Sequence, residues 1–282
     1  MNRFLKHLVV AGLLLLAANA YAQDKNFYVF LCFGQSNMDG FPAPLDEKDK
    51  LGVDGRFQLL AAIDFPEQGR KKGSWYPAVP PLCRPGNGLC PVDYFGRTLV
   101  ARLPAAIKVG VVNVAVPGCK IELFDQANYQ SYAQVAPGWM KNYIAIYGGN
   151  PYQYLVDTAR EAQKAGVIKG ILLHQGESNT DDREWPTKVK AIYEHLLRDL
   201  NLQAADVPLL AGEVVAADQK GACAPMNRII DLLPKTIPTA HVVSAAGCTS
   251  RLPDHLHFDL EGYRELGRRY AETMLPLLGV KP

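Results

Sequence analysis

Beyond its first two dozen residues this sequence has no apolar run long enough to cross a bilayer, a task that takes about twenty residues of helix. Charge of neither sign is in surplus, with 30 Lys and Arg against 28 Asp and Glu. Two of the cations, Arg3 and Lys6, lie in the N-terminal leader and account for the formal net charge of +2. The remainder of the chain therefore carries no electrostatic footprint for nucleic acid or for an anionic membrane. No CxxC pair occurs, and only His255 and His257 among the six histidines are close in sequence. A two-residue histidine spacing without clustered partners is a poor ligand set, so no metal site and no metal cofactor is expected. No internal repeat or low-complexity linker divides the chain.

The leader itself is informative. Arg3, Lys6 and His7 precede the apolar run "LVVAGLLLLAANA", and Ala20 and Ala22 offer a small-residue cleavage pair before Gln23. Residues 1–22 are expected to be a signal peptide and residues 23–282 a single domain, secreted or periplasmic. The residue directly after the cleavage point is Gln23 and not a cysteine, so a lipid anchor is not indicated. Export makes disulfides among the six cysteines an expectation, with Cys83–Cys90 and Cys223–Cys248 as candidate pairs. Cys32 lies inside an apolar run, where a buried free thiol is an equal reading.

Five short runs read as strands: "NFYVFLCF", "IKVGVVNVAV", "IKGILLH", "VPLLAGEVV" and "AHVVSAA". Most are apolar at consecutive positions, the pattern of strands covered on both faces. Helix-period stretches lie between them, and "LEGYRELGRRYAETMLPLL" closes the chain. Alternation of this kind predicts a three-layer α/β/α sandwich with a mostly parallel five-stranded sheet. The Gly- and Pro-rich section from Asp39 to Pro91 shows no clear element beyond room for a small hairpin. Residues Phe124 to Asn150, dense in Tyr and holding Trp139, read as a second insertion.

Ligands of open α/β sheets bind at the carboxyl ends of the strands, so the residues there are the ones to weigh. Ser36 follows the first run, Gly118 the second, and Gln175 and Glu177 the third. Glu213 lies inside the fourth run, and "DHLH", with Asp254, His255 and His257, precedes the last helix. A nucleophilic serine needs a base within hydrogen-bond reach and donors for the oxyanion that forms. His257 with Asp254 three positions earlier supplies the first; the Gly118 amide and the Gln175 side chain are candidates for the second. His255 should project differently from its neighbours. Glu177 could orient His257 or brace the loops. Alone, each group has an ordinary reading: Ser36 as a turn residue, Gly118 as a plain turn, "DHLH" as a helix N-terminus. Two other classes of function stay open on these residues, a glycosidase using Glu177 with Asp254 or Glu213, and a sugar-binding module without activity.

In combination "GQSNM", the glycine after the second strand, "HQGESN" and the late "DHLH" resemble the SGNH hydrolases. More narrowly they resemble the carbohydrate O-acetylesterases of carbohydrate esterase family 6 and the sialate O-acetylesterase group. The resemblance runs from Val29 to the C-terminal helix. It implies a flavodoxin-like fold and hydrolysis of acetyl esters on carbohydrate, acetylated xylan or a related plant polysaccharide first, O-acetylated sialic acid as the alternative, with no cofactor. It implies Ser36 as nucleophile, His257 as base, Asp254 as the acid, and the Ser36 amide, Gly118 and Gln175 as the oxyanion hole. Glu177 is the rival for the role of acid.

Overall fold

A computed structural model describes residues 23–40 and 45–280. The expected signal peptide lies outside the described residues. Among them, no helix is long and apolar enough to cross a membrane.

A single sheet of seven strands runs through the molecule in the order β3-β2-β4-β1-β5-β6-β7. The strands are β1 (Asp24–Gly34), β2 (Phe57–Leu60), β3 (Trp75–Pro77), β4 (Lys108–Ala115), β5 (Gly166–His174), β6 (Leu209–Gly212) and β7 (Ala240–Val243). All neighbours pair parallel except β2 with β3. The five expected strands are thus present as the parallel core. The sheet is wider than expected because the first insertion adds β2 and its antiparallel partner β3 at one edge.

β1 shows why consecutive apolar residues are needed. Val29, Leu31 and Phe33 enter the core on one face, and Phe30 and Cys32 the core on the other. Each such side chain contributes about 1.5–3 kcal/mol by leaving water. Over the first face lie the helices Pro151–Gln163, through Tyr152, Leu155 and Ala159, and Trp185–Asp199, through Val189 and Ile192. Over the second lie Pro91–Arg102, through Val92, Phe95 and Leu99, and the last helix, Leu260–Leu277, through Leu266, Tyr270 and Met274. The helix-period stretch "NRIIDLLPKTI" forms two short helices, Asn227–Ile230 and Leu233–Thr236, with Pro234 in the first turn of the second. The second insertion also has structure of its own, the helices Tyr129–Val135 and Gly138–Ile146.

The expected disulfides are absent: all six cysteines are free thiols. Cys83 and Cys90 are buried but face different partners. The Cys83 sulfur sits 3.5 Å from the Tyr147 hydroxyl, while Cys90 caps the helix Pro91–Arg102 and accepts from Asn113. Cys248 is buried, and Cys223 lies on the site cavity with its sulfur 3.5 Å from the Glu177 carbonyl.

β1 ends at Gly34, where it closes on β5. A Cβ at Gly34 would stand 2.0 Å from the His174 carbonyl oxygen, a backbone atom that cannot swing away. Gly34→Ala must therefore push the ends of β1 and β5 apart. We expect it to lower unfolding free energy by about 1–3 kcal/mol in urea titrations. A variant as stable as the parent protein would show that this junction is looser than the structure has it.

Candidate active site

The Gln35 backbone amide bonds the His174 carbonyl, and the chain then turns at once into the short helix Ser36–Asp39. This turn lifts the Ser36 hydroxyl to the carboxyl edge of the sheet. Asn113 of β4 holds it from beneath by donating to the Met38 carbonyl at 2.9 Å.

Opposite it, the segment 250–258 folds back on itself. The Arg251 amide donates to the His257 carbonyl, and the Ser250–Phe258 bridge closes the loop. The loop brings His257 Nε2 to 3.0 Å from the Ser36 Oγ and His257 Nδ1 to 3.0 Å from the Asp254 Oδ2. Asp254 Oδ1 accepts the Leu256 and His257 amides at 2.9 and 3.2 Å. Burial disfavours its charge, but those amides and the His257 ring outweigh burial and hold the carboxyl below its usual range. Asp254 is thus an ionised carboxylate fixed against one imidazole nitrogen while the other nitrogen faces the serine. His255, as expected, points elsewhere, to the Ser250 hydroxyl and the Gln219 carbonyl.

Asn37 joins these parts. Its amide nitrogen donates to Glu177 Oε1 at 2.5 Å and to the Leu256 carbonyl at 3.1 Å. Its oxygen accepts from the Phe258 amide and the Tyr263 hydroxyl. Glu177 therefore reaches the histidine loop through Asn37. Burial raises the Glu177 carboxyl to about 7, which its bonds to Asn37 and backbone amides only partly oppose. Its neighbour His174, wholly enclosed, is held neutral by burial, with its pKa lowered to about 3.

Of the groups expected as oxyanion donors, two are backbone amides without a partner among the described residues and one is a side chain already engaged. The Ser36 and Gly118 amides meet no acceptor among the described residues. Gly118 has φ +67, a conformation that favours glycine, and a Cβ there would lie 2.7 Å from the Trp139 ring. Gln175 corrects the sequence reading. Its amide nitrogen already donates to Asn179 Oδ1 at 2.7 Å and Gln35 Oε1 at 3.1 Å, and its oxygen accepts from Trp185 at 2.5 Å. With both amide hydrogens engaged, Gln175 is a brace under the site and is not free to bind an oxyanion. Glu213 is likewise remote from the serine, accepting from Ser244 and the Ala245 amide.

A cavity of about 560 Å³ opens beside Ser36 and His257. Asp39, Arg84, Tyr143 and Trp139 line it, and the sequence reading singled out only Trp139 among them. Arg84 Nε donates to Asp39 Oδ1 at 2.8 Å in a two-pronged pair. Asp39 had one signal, its place three residues after the serine in the same turn; Arg84, in a Pro- and Gly-rich stretch, had none. Among the described residues, no group of three or more His, Cys, Asp or Glu is arranged to hold a metal ion.

The two carboxylates should separate in experiment. Asp254→Asn should lower turnover by up to about ten-thousand-fold, the scale for an acid that orients a catalytic imidazole. Glu177→Gln, acting only through Asn37, should stay within about tenfold of the parent rate. A slower Glu177→Gln than Asp254→Asn, both folded, would reverse the assignment. Glu177 should appear instead in stability against pH. The native state holds its proton up to about pH 7, the unfolded chain only to its ordinary 4.5. Between those values the native state binds more protons, so stability falls as pH rises. The loss approaches about 3 kcal/mol by pH 8 and should vanish in Glu177→Gln. Parallel stability profiles for the two proteins would contradict this.

The chain resembles several solved structures over most of its length. A protein of Arabidopsis thaliana superposes with a TM-score of 0.67 at 20% identity, covering 89% of this chain and 98% of that one. NanS gives 0.63 at 16% identity, covering 92% and 99%. A carbohydrate acetylesterase from Xanthomonas citri gives 0.63 at 18% identity, covering 90% of this chain and 57% of the longer one. At these identities the likeness speaks for the fold. The sequence profile described as "SASA: Carbohydrate esterase, sialic acid-specific acetylesterase" matches residues 26–276, nearly the whole described chain. The chain belongs to this SASA family of carbohydrate esterases.

Proposed function

We propose that this protein is a serine esterase that removes O-linked acetyl groups from carbohydrate, with Ser36, His257 and Asp254 as its catalytic residues. One observation carries the reading: the unbroken hydrogen-bonded line from the Ser36 hydroxyl through His257 to Asp254, at 3.0 Å for each link. Both imidazole nitrogens are then in use, one as base and one as the donor that the carboxylate orients.

His257 Nε2 takes the Ser36 proton as Oγ attacks the acetyl carbonyl carbon. Negative charge gathers on the carbonyl oxygen, toward which the Ser36 and Gly118 amides donate. His257, now a cation held against Asp254, gives the proton to the sugar oxygen as the carbon–oxygen bond breaks. The sugar leaves with a hydroxyl, and acetate remains esterified to Ser36. Water then repeats the sequence, with His257 accepting its proton and returning it to Ser36 as acetate departs. Asn37, Glu177 and Gln175 take no proton in this scheme; they hold the histidine loop and the serine turn in register.

Two substrates fit this chemistry. Acetylated xylan or a related plant polysaccharide follows from the resemblance to carbohydrate esterase family 6. O-acetylated sialic acid follows from the description of the matching family. The leader sequence supports action outside the cytoplasm, in the periplasm or medium.

Ser36→Ala should lower acetate release by about a million-fold, the scale for loss of a catalytic serine, while leaving the melting temperature close to that of the parent. A serine-directed sulfonyl fluoride should inactivate the parent protein and add its mass to the peptide carrying Ser36. Acetate release from Ser36→Ala within tenfold of the parent would remove Ser36 as nucleophile.

A further inference from the structure

One wall of the cavity has no part in the chemistry above. Trp139 is 52% exposed although it lies across Gly118, the candidate oxyanion donor. Its ring meets Tyr143 edge-on, with centroids 6.3 Å apart. Behind Tyr143 lies Arg84, whose guanidinium carbon is 4.2 Å from the ring centroid. An exposed indole beside a reactive serine adds little to the core, but it offers a flat apolar face of the size of a sugar ring.

Charge on this wall is self-contained. Arg84 is the one cation among the described residues that line the cavity. Its Nε and Nη2 edge is fixed on Asp39, and the two side chains are only 10% and 2% exposed. Asn87 locks the pair by donating to the Asp39 carbonyl at 3.0 Å. A substrate carboxylate would have to displace Asp39, leaving it buried and unpaired, or sit beside a pair of no net charge with an anion at close range. A hydroxyl needs neither. Arg84 Nη1 has no acceptor among the described residues and can donate to a neutral oxygen without disturbing the pair.

We propose that Trp139, Tyr143 and the Asp39–Arg84 pair form the sugar subsite, and that this subsite selects a neutral acetylated sugar over one bearing a carboxylate. The proposal rests on the acetylesterase reading and narrows its substrate to the neutral class, against the sialic acids.

The test uses three esters and the full-length mature protein. The first two are a mono-O-acetylated methyl glucoside and the methyl glucuronoside acetylated at the same position, which differ only by the carboxylate. The third, ethyl acetate, has no ring. Acetate release gives kcat/KM for each. The glucoside should exceed the glucuronoside by about tenfold or more, as expected where an anion meets a pair already neutralised. Trp139→Ala, a change at an exposed position, should lower the glucoside-to-ethyl acetate ratio by about tenfold, on the scale of a lost ring contact. A glucuronoside as good as the glucoside, at low and at moderate salt, would overturn the selectivity. A ratio within twofold of the parent in Trp139→Ala would overturn the platform while leaving the esterase reading intact. Failure to hydrolyse any of the three esters would remove both readings together.

Discussion

The Asn37 side chain donates to Glu177 and to the Leu256 carbonyl, and accepts from the Phe258 amide and the Tyr263 hydroxyl. Four bonds satisfy every position an amide side chain possesses. The partners come from the end of β5, from the histidine loop and from the last helix, while Asn37 itself follows the serine. A hydrogen bond between Ser36 and His257 is short-ranged and directional, and half an ångström of drift would weaken it. Asn37 removes that drift by tying the backbone on both sides of His257 to the turn that carries Ser36. The sequence reading singled out Ser36 and His257; it did not single out the residue between Ser36 and Met38.

The sheet supplies the rest of the geometry. β1 lies at its centre, flanked by β4 and β5, and the carboxyl ends of these three strands lead to Ser36, Gly118 and Glu177. Parallel strands place those ends on a single edge without further design. Beneath them a second tier of amides (Gln35, Gln175 and Asn179) bonds internally and with Trp185. Buried amides of this kind are tolerated because they bond one another, and such networks permit few alternative arrangements.

What could be read from the sequence divides along physical lines. Strands buried on both faces leave long apolar runs, so β1, β4 and β5 were visible, and their ends marked the site. β2 and β3 span only four and three residues in a Gly- and Pro-rich insertion, too short for any period to register. Asp254 and His257 were legible because three residues of chain suffice to join them. Gln175 was placed at the correct strand end but in the wrong role, since chain position does not say which neighbours reach an amide first. Arg84 was invisible for the same reason, its partner Asp39 lying forty-five positions away. The cysteines misled because a candidate pairing read from loop positions does not say what each sulfur meets, and here all but Cys223 are buried as small apolar groups.

Ser36 and His257 are 221 positions apart in the chain, and the turn bearing one is synthesised long before the loop bearing the other. β1 is similarly dependent, since both of its sheet neighbours come from later in the sequence, beginning at Lys108 and Gly166. Contacts of such separation form slowly, because much chain entropy is lost before they repay it. The central strand must therefore wait for the middle of the polypeptide to arrive, and the Ser36–His257 contact for its far end. Hydrolysis would begin only when the last helix has docked, which makes activity a report on the completion of folding.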